Sequence, residues 1–128
     1  MITVAAVGCF DVLHIGHLHH LKFGRGLGNR LIVFLTAAEH VNKGEGRPLF
    51  NDEQRKEMLL ALRCVDDVII NHEPNPLKII ARYKPDIVIK GSEYIGRLPE
   101  QKLVESYGGR VVFTNEVVYS STKLVGHV

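Results

Sequence analysis

Apolar residues occur along the chain in two alternating patterns. Short runs rich in Val, Ile and Leu are typical of buried strands, and each is followed by a longer stretch with apolar residues at helical spacing. The runs predict five strands, at residues 2–7, 31–35, 67–70, 86–90 and 111–113. The longer stretches predict helices at 17–27, 52–62, between Pro76 and Lys84, at 99–107, and a last short one at 123–127.

The alternation of strands and helices predicts the fold class. Strands that are apolar on both sides and are joined by helices form a parallel sheet with helices on both faces. We therefore expect an α/β, Rossmann-like, doubly wound five-stranded sheet, formed by residues 1–128 as a single domain.

Unusual polar segments follow four of the predicted strands. They are residues 8–17, 43–47, 90–94 and 120–122. Because ligands of parallel sheets bind at the carboxyl ends of the strands, these segments predict a single site.

The first of these segments carries two histidines at the start of a helix. His14 and His17 flank Gly16 three residues apart, so both rings can point the same way. A helix N-terminus attracts anions, and imidazoles add donors there, which predicts a phosphate site. Two alternatives remain: a structural metal, since His19 and His20 lie close by, or no function. No carboxylate or Cys completes an obvious ligand set.

A predicted capping box, Asn51 with Gln54, starts the second helix. Arg55 follows on the edge of that helix's apolar stripe. We expect its guanidinium either to reach a phosphate or to extend into solvent from a buried stem.

Composition limits the classes of function. A formal net charge of +2 is too small to indicate binding to nucleic acid or a membrane surface, and no apolar run approaches the length of a membrane span. Cys9 and Cys64 are isolated, and the N-terminus enters a strand directly, without a secretory signal pattern. These features predict reduced thiols and a cytoplasmic location.

At this point the motifs resemble those of a known family. Residues 8–17, Gly-Cys-Phe-Asp-Val-Leu-His-Ile-Gly-His, are similar to the G-[TC]-F-D-x-x-H-x-G-H signature of the cytidylyltransferase-like nucleotidyltransferases. Residues 120–124 resemble the family's second motif, I-S-T-[ST]-x-I. The likeness extends over nearly the whole chain. It is strongest to heptose 1-phosphate adenylyltransferase domains, and next to the small glycerol-3-phosphate cytidylyltransferases.

The resemblance implies a reaction and a set of residues. A substrate phosphate would attack the α-phosphate of a nucleoside triphosphate and release pyrophosphate, with Mg²⁺ held by the phosphates and no metal ligand from the protein. The implied catalytic residues are His14, His17, Lys43 and Arg55. The implied nucleotide-binding residues are Gly8, Cys9, Phe10, Gly16, Lys90, Gly91, Glu93, Ser120, Ser121 and Thr122, and the implied acceptor-binding residues are Asp11 and Tyr94.

Two departures from the glycerol-type pattern bear on the nucleotide. Residues 115–118 lack the arginine that those enzymes place before the serine motif, and residues 91–94 read Gly-Ser-Glu-Tyr instead of Gly-Asp-Asp-Trp. The resemblance therefore favours ATP over CTP, with a phosphorylated sugar or polyol as acceptor, and implies a homodimer. The alternatives are a cytidylyltransferase that uses CTP, a nucleotide-binding module without turnover, and a metal-binding regulator.

Overall fold

A computed structural model describes residues 1–42, 44–96 and 98–114. Lys43, Ser120, Ser121, Thr122, the side chain of Glu93 and the predicted last helix lie outside the described part. The strands are β1 (Thr3–Gly8), β2 (Arg30–Thr36), β3 (Asp67–Asn71), β4 (Ile87–Gly91) and β5 (Arg110–Thr114). The helices are α1 (Ile15–Gly26), α2 (Asp52–Leu60), α3 (Leu77–Tyr83) and α4 (Glu100–Ser106), with short 3₁₀ turns at Ala38–His40 and Ser92–Tyr94.

All strand pairs among the described residues are parallel, and the order across the sheet is β3-β2-β1-β4-β5. The chain first winds outward from β1 to β3 and then crosses back to β4. The predicted α/β, Rossmann-like sheet of five strands is confirmed. Each element predicted within the described residues is present, with its ends shifted by at most two residues.

Two apolar layers cover the two faces of the sheet. One contains Val4, Leu31 and Ile89 with Leu21 of α1 and Leu59 of α2. The other contains Ile32, Phe34 and Val88 with residues of α3 and α4 such as Ile80 and Val104. Alternate residues of a strand point to opposite faces, so an uninterrupted apolar run supplies both layers.

Gly24 explains how α1 lies so close to the sheet. A Cβ built on this buried residue would come within 2.5 Å of Cδ1 of Ile89. Glycine costs about 1 kcal/mol in a helix interior relative to Ala. The close approach of helix and strand compensates for that local cost.

No helix in the described ranges is long and apolar enough to cross a membrane.

Candidate active site

The candidate site is a cavity of about 490 Å³ at the carboxyl ends of the strands. It lies where the chain turns from the β1–β2–β3 half of the sheet to the β4–β5 half, which is where open α/β sheets bind ligands. Segments after β1, β2, β3 and β4 contribute to its lining. Of the four predicted segments, 8–17 and 90–94 contribute lining residues to this cavity, and the segment after β3 is one that the prediction did not include.

His14 and His17 form the N-terminal cap of α1. Nδ1 of His14 accepts the backbone N–H of Gly16 at 3.1 Å, and Nδ1 of His17 accepts the backbone N–H of His14 at 3.3 Å. The pair thus makes the reciprocal contacts of a capping box with imidazoles instead of the usual Ser and Glu. The rings stack with centroids 3.9 Å apart. The His-x-Gly-His spacing therefore fixes both rings to the helix start.

These contacts determine which nitrogen carries the proton. A nitrogen that accepts a hydrogen bond has no proton of its own, so each neutral ring carries its proton on Nε2. Both rings and Gly16 line the cavity. Two imidazole donors beside a helix N-terminus suit a phosphate group.

Phe10 packs against this pair from a constrained position. Its backbone has φ +44°, which is unusual for a bulky residue, and its side chain is buried. The ring lies beside Gly8, where an added Cβ would come within 3.0 Å of Cε2 of Phe10, and meets the ring of His17 edge-on at 5.3 Å. Gly8, Cys9 and Phe10 all line the cavity, as their implied role in nucleotide binding requires.

Arg55 does not lie where the resemblance implies. Its side chain is fully buried and does not line the cavity. Nη1 donates to the carbonyls of Cys9 (2.8 Å) and Thr36 (2.7 Å), Nε donates to the carbonyl of Phe50 (3.0 Å), and Nη2 contacts Asp52 at 2.6 Å. The prediction of a phosphate contact is wrong for this structure, and so is the exposed alternative, because the donors bind backbone carbonyls beneath the site.

Asp11 also differs from its implied role in acceptor binding. Its carboxylate, fully buried, accepts Nε of Arg47 at 2.6 Å and the backbone N–H groups of Leu49 and Phe50 at 2.9 and 3.1 Å. Burial alone would raise the pKa of Asp11, but these donors outweigh it and hold the pKa below its ordinary value. The carboxylate therefore holds residues 47–50 in place. Arg55 binds the same segment through the carbonyl of Phe50, and we call Asp11, Arg47 and Arg55 the buried clamp.

The described residues 44–47 of the predicted loop 43–47 do not line the cavity, whereas the segment just before the loop does. Arg47 is drawn to Asp11 and does not line the cavity, whereas His40, Val41 and Asn42 do.

On the β4 side, the structure brings together three of the residues expected there. Lys90, Gly91 and Tyr94 line the cavity. Nζ of Lys90 lies 4.5 Å from the centre of the Tyr94 ring, within the range of a cation–π contact.

On the opposite side, the cavity is lined by residues that the sequence analysis does not single out. Among them are Thr36, Asn42, Asn71, Glu73 and Asn75. The buried Asn71 orders the loop after β3: its amide donates to the carbonyl of Asn75 at 3.1 Å and its oxygen accepts the N–H of Glu73 at 3.2 Å. In the sequence, these five residues are distinguished only by following predicted strands. Polar residues are common in such loops, so the sequence does not identify these as site residues.

Within the described ranges, no group of three or more His, Cys, Asp or Glu side chains is arranged to hold a metal ion. The histidines at positions 14, 17, 19 and 20 are included in that statement.

The chain is similar in sequence and in fold to known proteins. The model of the Cytidylyltransferase-like family matches residues 5–125. The chain is 44% identical over 122 residues to the "Bifunctional protein HldE" of Pelobacter propionicus, covering 90% of this chain and 24% of that protein. It is 38% identical over 130 residues to the HldE of Koribacter versatilis, covering 97% of this chain and 27% of that one. The chain thus spans about a quarter of the length of these curated relatives.

A solved structure agrees as well. The crystal structure of the lipopolysaccharide core biosynthesis protein from Thermoplasma volcanium GSS1 superposes with a TM-score of 0.73 at 33% identity, covering 88% of this chain and 93% of that one. The family match extends over most of the chain. The chain belongs to the cytidylyltransferase-like family.

Proposed function

We propose that this chain transfers a nucleoside monophosphate from a nucleoside triphosphate to a phosphorylated sugar or polyol and releases pyrophosphate. One observation carries the proposal: His14 and His17 are fixed through Nδ1 at the start of α1, where both rings line the cavity. Neutral rings held this way each have an Nε2–H for a phosphate oxygen.

The reaction needs charge stabilisation rather than a covalent enzyme intermediate. An oxygen of the acceptor phosphate forms a bond to the α-phosphorus, and the bond from that phosphorus to the bridging oxygen of the β-phosphate breaks. The leaving pyrophosphate takes the electron pair. Fixed donors at the phosphorus stabilise the charge that builds up there, and the N-terminus of α1 adds to their effect.

In this proposal Mg²⁺ arrives with the nucleotide. It is bound by the phosphate oxygens and shields their charge. The carboxylate of Asp11 is engaged by Arg47 and by two backbone N–H groups, so it serves the loop rather than a cation.

Two observations support a phosphorylated sugar or polyol as acceptor. The similar solved structure is described as a lipopolysaccharide core biosynthesis protein, and a lipopolysaccharide core is built of sugars. The amide and carboxylate groups of Asn42, Asn71, Glu73 and Asn75 near one end of the cavity suit the hydroxyl groups of such a molecule.

We further propose ATP in preference to CTP. The support is the resemblance of residues 90–94 to the adenylyltransferase domains, and Lys90, Gly91 and Tyr94 line the cavity. Tyr94, which the resemblance assigns to the acceptor, faces the nucleobase in this proposal. Glu93 and Lys43, which the resemblance assigns to the nucleotide and to catalysis, stay predictions, as do Ser120, Ser121 and Thr122.

Pyrophosphate release tests the proposal and separates it from the alternatives. The purified chain is assayed with Mg²⁺ and each of ATP, CTP, GTP and UTP against glycerol, ribitol, heptose and hexose phosphates. We expect release that requires both substrates, with ATP faster than CTP. Faster release with CTP would overturn the base preference alone. Nucleotide binding without release from any pair would favour the binding module.

We also propose a homodimer, which the resemblance implies, and a cytoplasmic location, which the isolated cysteines Cys9 and Cys64 favour. The apolar side chains of Leu49 and Phe50, both about half exposed just before α2, support an interface in that region. Light scattering should give about twice the chain mass of 14.3 kDa at micromolar protein, and the single-chain mass would contradict the dimer.

A further inference from the structure

His20 lies in the candidate site although the family motif ends at His17. It follows His17 by three residues on α1, or about 4.5 Å along the helix axis. The residue is half-buried and lines the same cavity as His14 and His17. Its neighbour His19 is exposed and does not line the cavity.

The ring of His20 contacts β5, the strand at one edge of the sheet. Its Nδ1 lies 3.1 Å from Oγ1 of Thr114, the last residue of β5. Thr114 is buried and pairs in register with Gly91, which itself lines the cavity. The contact therefore connects α1 to the carboxyl ends of β4 and β5.

The cavity has two chemically different sides around the start of α1. The β4 side carries the ring of Tyr94 with the ammonium of Lys90 against it, and the β2–β3 side carries amides and the carboxylate of Glu73. An aromatic ring suits a planar nucleobase, whereas amides and a carboxylate suit hydroxyl groups. With the reacting phosphate between His14 and His17, the nucleoside belongs on the β4 side, next to His20.

We propose that His20 contacts the nucleoside of the bound triphosphate and that Thr114 positions its ring for that contact. This inference rests on the proposed function. With Nδ1 held by Thr114, the imidazole meets the ribose or base through its Nε2 edge or its face.

Calorimetry on the whole chain tests the contact with probes that differ only in the nucleoside. Mg²⁺-ATP and Mg²⁺-CTP contain it, and Mg²⁺-tripolyphosphate does not. His20→Leu should weaken binding of the better-bound nucleotide roughly tenfold, the worth of one hydrogen bond, and leave tripolyphosphate binding unchanged. His19→Leu, one position away on the exposed surface, is the matched control and should bind all three probes as the wild type does.

Variants of Thr114 test the positioning role. Thr114→Val should weaken nucleotide binding by roughly threefold, and Thr114→Ser, which keeps the hydroxyl, should restore it. His20→Gln, which retains a polar side chain, should bind with an affinity between those of the wild type and His20→Leu.

The outcomes separate this inference from the proposed function. Equal weakening of tripolyphosphate and nucleotide in His20→Leu would place His20 at the phosphates and overturn the inference while the proposed function stands. Unchanged binding of all probes would overturn it as well. A wild-type chain that binds neither nucleotide would overturn both.

Discussion

The histidine pair and the buried clamp meet in the fold near the end of β1 but have different surroundings. His14 and His17 make one backbone contact each through Nδ1 and line the cavity. Asp11 and Arg55 are fully buried, and their charged atoms contact backbone groups or Arg47 and Asp52. Within the motif of residues 8–17, Asp11 is thus committed to the fold, whereas His14 and His17 line the cavity.

The difference follows from the cost of burying charge. An ion removed from water must be compensated by several hydrogen bonds, and a carboxylate or guanidinium that has them is committed to the fold. A neutral imidazole needs less compensation than an ion, so His14 and His17 can cap the helix while they line the cavity. We expect substitutions in the two groups to differ in their effect on stability.

Arg55→Met should have the largest effect on stability. It removes the donors to the carbonyls of Cys9, Thr36 and Phe50, and we expect the free energy of unfolding to fall by about 3 kcal/mol. Denaturant unfolding measures it. The control Arg63→Met, at an exposed position after α2, should stay within about 0.5 kcal/mol of the wild type. Equal losses in the two variants would contradict the clamp.

Asp11→Asn should have a smaller and pH-dependent effect. The folded-state pKa of Asp11 is lowered, so its carboxylate stabilises the fold above the unfolded-state pKa of about 3.9, and this contribution is lost as the pH falls through the folded-state pKa. We expect Asp11→Asn to be less stable by about 1–2 kcal/mol at pH 7.

Unfolding curves from pH 7 to pH 3 check this sign. The difference in unfolding free energy between the wild type and Asp11→Asn should become smaller as the pH approaches 3. A difference in unfolding free energy that does not change with pH would show that the ionised carboxylate is not what holds residues 47–50.

His14→Ala should have the smallest effect on stability, because it removes one helix cap, worth about 1 kcal/mol. His14→Asn restores a good capping side chain, so its unfolding free energy should match that of the wild type within about 0.5 kcal/mol. Thermal unfolding of both variants is the measurement. Equal stability of the alanine and asparagine variants would contradict the capping role.

The sequence alone predicts the helices and strands but not the partners of the buried charged side chains. The apolar runs predicted the five strands, and the Asn51–Gln54 capping box was confirmed, with hydrogen bonds of 3.0 and 2.8 Å. These features are local, because hydrophobic period and cap spacing are read within a few residues.

The role of Arg55 is not local. Its carbonyl partner Cys9 lies 46 positions earlier, and the partners of Asp11 lie 36–39 positions later, so only the packed fold brings them together. The capping role of His14 and His17 was missed for another reason, since imidazoles are not the side chains from which a capping box is recognised.

We propose that His14 and His17 act on the substrate phosphates as well as cap α1. Pyrophosphate release by His14→Asn and His17→Gln, variants that retain capping side chains, tests it most directly. At unchanged stability, each should release pyrophosphate at least about 100-fold more slowly than the wild type, because a fixed donor at developing charge is lost. Near wild-type rates in both variants would contradict the claim.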